Sequence, residues 1–98
     1  MREILIGNGV TSTQEFKNSS GVLTNPTSVT VTVREPDDTK TTYTYGTDPE
    51  VVRDSTGIYY ISIVPDAAGP WGFYWLGTGT VPRSTEDFVL ITPSRVTA

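Results

Sequence analysis

Apolar and polar residues alternate along most of this chain. Val29, Val31 and Val33 interleave with Thr30, Thr32 and Arg34, the period of an extended strand that buries one face. Lys40 to Tyr45 alternates again, with Tyr43 and Tyr45 on one side. Between the two runs, Glu35-Pro-Asp-Asp-Thr39 is a turn whose proline presets φ. Together they predict a hairpin. A short strand follows over Glu50–Arg53, and Asp87–Thr92 reads as a closing strand stopped by Pro93. In the first third, Ile4–Ile6 and Gly9–Lys17 can be strands, while Asn18–Gly21 and Asn25–Pro26 are turns. Gly77-Thr-Gly79 is read as a strand-to-strand turn.

No stretch carries helical periodicity, and Thr and Val are abundant, as strands require. Turn signals recur about every ten residues, which predicts an all-β, immunoglobulin-like antiparallel sandwich of about seven strands. Its most informative part is Asp54–Val64 followed by Pro70–Gly77, read as a central hairpin across a connection at Pro65–Gly69. In that register Tyr59, Ile61 and Ile63 pair with Trp75, Phe73 and Trp71, and these six residues form the structural core. Alternation favours core packing for the two tryptophans over a sugar-stacking role. Gly57 and Tyr59 at the strand start predict a tyrosine corner, the phenol hydroxyl bonding back to nearby backbone. On the opposite face Tyr60 meets Tyr74, Ile58 meets Leu76, and Ser62 meets Gly72. Ile58, Tyr60, Tyr74 and Leu76 would then make one outward apolar patch, beyond what cross-strand pairing needs. That patch is the expected partner-contact surface. Solvated aromatics, or cover by the N-terminal segment, are the alternative.

Composition narrows the function. At 98 residues the chain predicts a single domain over 1–98, with one core. The net charge is −4 and its seven basic residues are scattered, so no nucleic-acid partner is expected, since phosphate binding needs a concentrated basic face. There is no cysteine and hence no disulfide framework. The apolar run Ile4, Leu5, Ile6 is too short for a signal-peptide core and no segment has the length of a membrane span, so a soluble protein made in the cytoplasm, without a membrane partner, is expected. The segments 1–7 and 93–98 are candidate arms that add a strand to a neighbour, with Ile4, Leu5 and Ile6 as further contact residues. Fraying is the alternative.

Candidate chemistry is thin. There is no histidine, and no serine, threonine or lysine stands in a nucleophile pattern. Asp37–Asp38 and Glu86–Asp87 lack a metal-ligand ladder and read as solvated turns. Gly77-Thr-Gly79 lacks the Lys and the helix of a phosphate loop. Asn18-Ser-Ser20 fits a glycosylation sequon, which is common by chance. No catalytic, cofactor or metal residues are expected.

Val31-Thr-Val-Arg-Glu-Pro-Asp-Asp38, Thr42-Tyr-Thr-Tyr-Gly-Thr-Asp-Pro-Glu-Val-Val-Arg-Asp54, Thr56-Gly-Ile-Tyr59, Pro65-Asp-Ala-Ala-Gly69 and Trp71-Gly-Phe-Tyr-Trp-Leu-Gly-Thr-Gly79 occur in this order. The set, covering about Val29 to Val89, resembles the small immunoglobulin-like proteins encoded among virion genes of tailed bacteriophages and prophages. Asp38 stands where a turn glycine is usual. The resemblance implies a non-enzymatic virion structural protein, made in the host bacterial cytoplasm and incorporated in many copies. An accessory or decoration subunit that stabilises the capsid is the expected role, with other virion proteins as partners. A head-to-tail connector, collar or tail component is the alternative within that class. A host-surface adhesion or glycan-binding module, using Tyr60 and Tyr74, is the alternative outside it.

Overall fold

The computed structural model describes residues 2–94 and 96. Its eight strands are β1 (Arg2–Leu5), β2 (Val10–Glu15), β3 (Ser28–Arg34), β4 (Lys40–Thr44), β5 (Val51–Ser55), β6 (Ile58–Ile63), β7 (Gly69–Thr78) and β8 (Arg83–Thr92). A five-stranded sheet runs in the order β1-β8-β7-β3-β4 and a three-stranded sheet in the order β2-β6-β5. The all-β, immunoglobulin-like sandwich is therefore present, with eight strands in place of seven. Among the described residues there is no helix, and so none long and apolar enough to cross a membrane.

The β3–β4 hairpin forms as its alternation predicts, with Val31 opposite Tyr43 and Thr32 opposite Thr42. Asp38 in its turn has φ 71°, the left-handed region that favours glycine, which is why a turn glycine is usual there, and that aspartate tolerates better than most residues. The Arg34 guanidinium bonds the Asp38 carboxylate.

The central hairpin does not exist. β6 pairs with β2 and β5, whereas β7 pairs with β3 and β8. The connection between them carries the chain from one sheet to the other, as the E–F connection of this sandwich does. Alternation fixes which face a residue takes but not its neighbour, and two inward-facing runs joined by a short loop satisfy either arrangement. The predicted inner face survives. Tyr59, Ile61, Trp71, Phe73 and Trp75 are buried, and Ile63 packs against them half-buried. They meet across the sandwich rather than along a ladder, joined by Val29, Val31, Val33, Phe16, Val89 and Ile91.

The corner is also elsewhere. Trp71 donates its indole N–H to Ala67 O at 2.9 Å, bonding back four residues at the start of β7, where the corner residue of this fold belongs. Tyr59 instead donates its hydroxyl to Asn25 Oδ1 at 3.3 Å, and the same oxygen accepts the Gly57 amide at 2.8 Å. Its ring meets Phe16 and Tyr45 edge-on, with centroids 5.7 and 5.1 Å away. Gly57 itself has φ 76°, and a Cβ there would lie 2.8 Å from both Phe16 O and Thr24 N. Only glycine fits.

A polar seam ties β2 to the larger sheet. Trp75 Nε1 donates to the buried Ser12 Oγ at 2.9 Å, and Ser12 donates to Asp87 Oδ2 at 3.1 Å. Arg2 reaches the same carboxylate oxygen at 3.2 Å and Thr11 O at 3.1 Å, while Thr85 Oγ1 donates to Gln14 Oε1 at 2.6 Å. Asp87 thus links β8 to β2 from mid-strand and is not part of a solvated turn. β8 begins at Arg83, four residues before the predicted start, because its first half faces this polar seam and carries no apolar alternation.

The N-terminal segment is part of the molecule's own sheet. β1 pairs in parallel with β8, Ile4 opposite Ile91, and Ile4 and Ile6 are half-buried against the core while Leu5 is exposed. At the far edge, the odd-numbered residues of β4 bond to β3, as Tyr45 N to Val29 O at 3.0 Å indicates. Thr44 is capped by Asp48, whose carboxylate accepts the Thr44 amide at 2.8 Å. The edge offered to a neighbouring strand is therefore two residues, Lys40 and Thr42, and is short enough to resist unwanted pairing. Of the segment 93–98, Arg95, Thr97 and Ala98 lie outside the described residues.

Candidate functional site

The residues predicted to share one outward patch are on opposite sides of the molecule. Ile58 and Tyr60 lie on the outer face of the three-stranded sheet; Tyr74 and Leu76 lie on the outer face of the five-stranded sheet. Two sheet layers, about 10 Å apart, separate them. Ile4 and Ile6 are turned into the core margin, and Leu5 alone of that trio is exposed.

On the smaller sheet, Thr13, Tyr60 and Val52 stand side by side across β2, β6 and β5, and Ile58 lies between Glu15 and Ser55 in the next row. Tyr60 and Ile58 are half-buried by these neighbours and Val52 is exposed. Tyr60, Ile58 and Val52 thus form an uncharged cluster, with Glu15 at its margin.

The larger sheet presents a different surface. Lys40, Arg34, Gly72 and Phe88 line up across β4, β3, β7 and β8, and Thr42, Thr32, Tyr74 and Glu86 form the next row. Tyr74 and Phe88 are 41% and 44% exposed, large values for aromatic rings in mid-sheet. Gly72 makes the relief. Phe88 Cε1 lies 3.2 Å from where a Cβ on Gly72 would sit, so the ring leans across the strand into the space the missing side chain leaves. A depression of about 300 Å³ results, bordered by Thr32, Arg34, Lys40, Tyr74, Glu86 and Phe88. Phe88 also borders two further hollows, one beside Pro36 and Pro70 and one beside Arg2 and Asp87. Arg34 is engaged with Asp38, whereas Lys40 has no ion pair among the described residues.

Phe88 was not singled out from the sequence, nor were Glu86, Arg34 and Lys40 as a group. The available signal was the alternation Ser84, Glu86, Phe88, Leu90 against Thr85, Asp87, Val89, Ile91, visible only once β8 is extended back to Arg83.

Titration is perturbed at two places. Burial pushes the Tyr59 phenol above its usual value, helped by Tyr45 and opposed by Arg53. Asp37 is held below the usual carboxylate range, first by the Thr39 amide, which donates to its Oδ1 at 3.0 Å. Neither borders the depression. Among the described residues no group of three His, Cys, Asp or Glu is placed to hold a metal ion, and every buried side-chain polar atom has a partner.

No protein-family profile matches the chain, and no curated protein matches it. Among solved structures, a protein of Bacteroides vulgatus ATCC 8482, provisionally named a glycoside hydrolase, superposes on 96% of this chain with a TM-score of 0.59 at 14% identity. The chain spans 17% of that protein's length. At this identity the likeness is one of fold.

Proposed function

We propose that the protein is a non-enzymatic structural subunit of a tailed-phage particle, an accessory domain that attaches to the capsid lattice through the outer face of its smaller sheet. The observation that carries the reading is the uncharged cluster of Tyr60, Ile58 and Val52 at the centre of that face. Interface cores are depleted in charge and enriched in tyrosine, and this cluster sits on a sheet tied to the rest of the sandwich by the Ser12–Asp87 and Thr85–Gln14 bonds. A domain held this way meets a lattice with little side-chain or loop ordering left to oppose binding. The sequence resemblance to virion-associated proteins supplies the partner class. Tyr74 and Leu76, on the other side, stay clear of the particle in this arrangement.

Quantitative mass spectrometry of purified particles tests the role. A copy number equal to that of the capsid subunit, or a simple fraction of it, is expected; one ring's worth of copies would move the protein to the collar or tail. Tyr60→Ser and Ile58→Ser should each weaken incorporation about tenfold or more if they occupy the contact centre. Folded variants that incorporate normally would remove the docking role.

A further inference from the structure

We propose that the depression at Gly72 on the outer face of the larger sheet is a binding site for a neutral saccharide. The proposal is independent of particle attachment, which uses the opposite face. The lining decides the ligand class. Tyr74 and Phe88 offer two exposed ring surfaces in adjacent rows of the sheet, and a pyranose ring presents C–H groups that pack on such surfaces. Around them stand donors and acceptors together: Arg34 and Lys40 can only donate, Glu86 only accepts, and Thr32 does both. A ligand rich in hydroxyls satisfies both kinds at once. An apolar peptide would strip water from Arg34, Lys40 and Glu86 without replacing it, and a carboxylate or phosphate ligand would meet the Glu86 charge with Lys40 alone to offset it, since Arg34 is already paired with Asp38. The volume of about 300 Å³ lies at the small end for ligand sites, fitting a few sugar units rather than a protein surface. The backbone beneath is fixed, because Gly72 pairs with Arg34 on one side and Phe88 on the other, so binding needs no rearrangement of the sheet.

The test uses the isolated protein and a panel of neutral oligosaccharides built from glucose, galactose, mannose and N-acetylhexosamines, followed by amide chemical shifts. Saturable shifts confined to Gly72, Tyr74, Glu86, Phe88 and their strand neighbours are expected with at least one member. Tyr74→Ala and Phe88→Ala should each weaken that binding about tenfold, and Glu86→Gln should weaken it less, while Tyr60→Ser leaves it unchanged. Thermal melts establish that each variant is folded. If no panel member saturates, if the shifts map to another surface, or if folded Tyr74→Ala binds as wild type, the assignment is wrong. An acidic oligosaccharide that binds more tightly than every neutral one would also overturn it.

Discussion

Replacing Ser12 by alanine removes one oxygen from the middle of the sandwich and leaves the backbone untouched. That oxygen accepts the Trp75 indole N–H at 2.9 Å and donates to Asp87 at 3.1 Å. Ser12 and Trp75 are each 1% exposed, so water does not reach the abandoned indole donor. A buried donor left without a partner costs about 1–3 kcal/mol. Asp87 loses less, because its side chain is 41% exposed and still bonded to Arg2 at 3.2 Å; water takes the vacated lone pair, and an exposed pair of this kind contributes under about 1 kcal/mol. The sum is about 2 kcal/mol. Urea denaturation followed by tryptophan fluorescence reads it as a fall in midpoint of about 1 M at a slope of about 2 kcal/mol/M, with the slope unchanged. The double variant with Trp75→Phe isolates the bond: once the indole N–H is gone, Ser12→Ala should cost about 1 kcal/mol or less, giving a coupling of about 1 kcal/mol. A single-variant loss below about 0.5 kcal/mol, or no coupling, would refute the view that this hydroxyl holds β2 to the larger sheet.

Gly57→Ala should destabilise by more than about 2 kcal/mol, since a left-handed alanine costs about 1–2 kcal/mol and its Cβ meets two backbone atoms at 2.8 Å; a thermal melt should show Tm falling by about 10 °C or more. Asp38→Val should destabilise by about 1–2 kcal/mol through the same left-handed φ, whereas Asp38→Gly should stay within about 1 kcal/mol of wild type, as urea midpoints will show. Tyr59 has its folded pKa raised by burial, so its contribution is fully present below the unfolded tyrosine value and is lost as pH rises through the folded one. Alkaline spectrophotometric titration should show one tyrosinate step that coincides with unfolding and disappears in Tyr59→Phe. Asp37 has its folded pKa lowered, so its contribution is present above the unfolded aspartate value and is lost as pH falls through the folded one; Asp37→Asn should flatten that acid limb in pH-dependent melts.

The inner face was legible because a period of two reports which side of a strand a residue occupies. Tyr59, Ile61, Trp71, Phe73 and Trp75 declare themselves in this way, and so does the β3–β4 hairpin with its turn proline. What alternation lacks is partner identity. β6 and β7 are consecutive, oppositely directed and joined by a short connection, which fits a hairpin and a sheet-to-sheet crossover equally well. The bond that marks the crossover, Trp71 to Ala67 O, is a side-chain contact with no periodic signature. The same gap split the expected patch: once β6 and β7 belong to different sheets, Tyr60 and Tyr74 face opposite ways. Phe88 was hidden because the first half of β8 places Thr85 and Asp87 on the inner side, where they bond Gln14 and Ser12. Polar residues that turn inward because they are partnered there look like surface residues in a sequence. The parallel β1–β8 pairing was hidden for a related reason, since a four-residue strand with a single half-buried apolar side chain, Ile4, reads as a loose arm.

Hydroxyl-radical footprinting of the protein on intact particles, against the free protein, tests the proposed division of labour between the two faces. Tyr60 and Ile58 should be protected on the particle while Tyr74 and Phe88 oxidise as they do in the free domain. Protection of Tyr74 and Phe88 with Tyr60 and Ile58 left open would contradict that division.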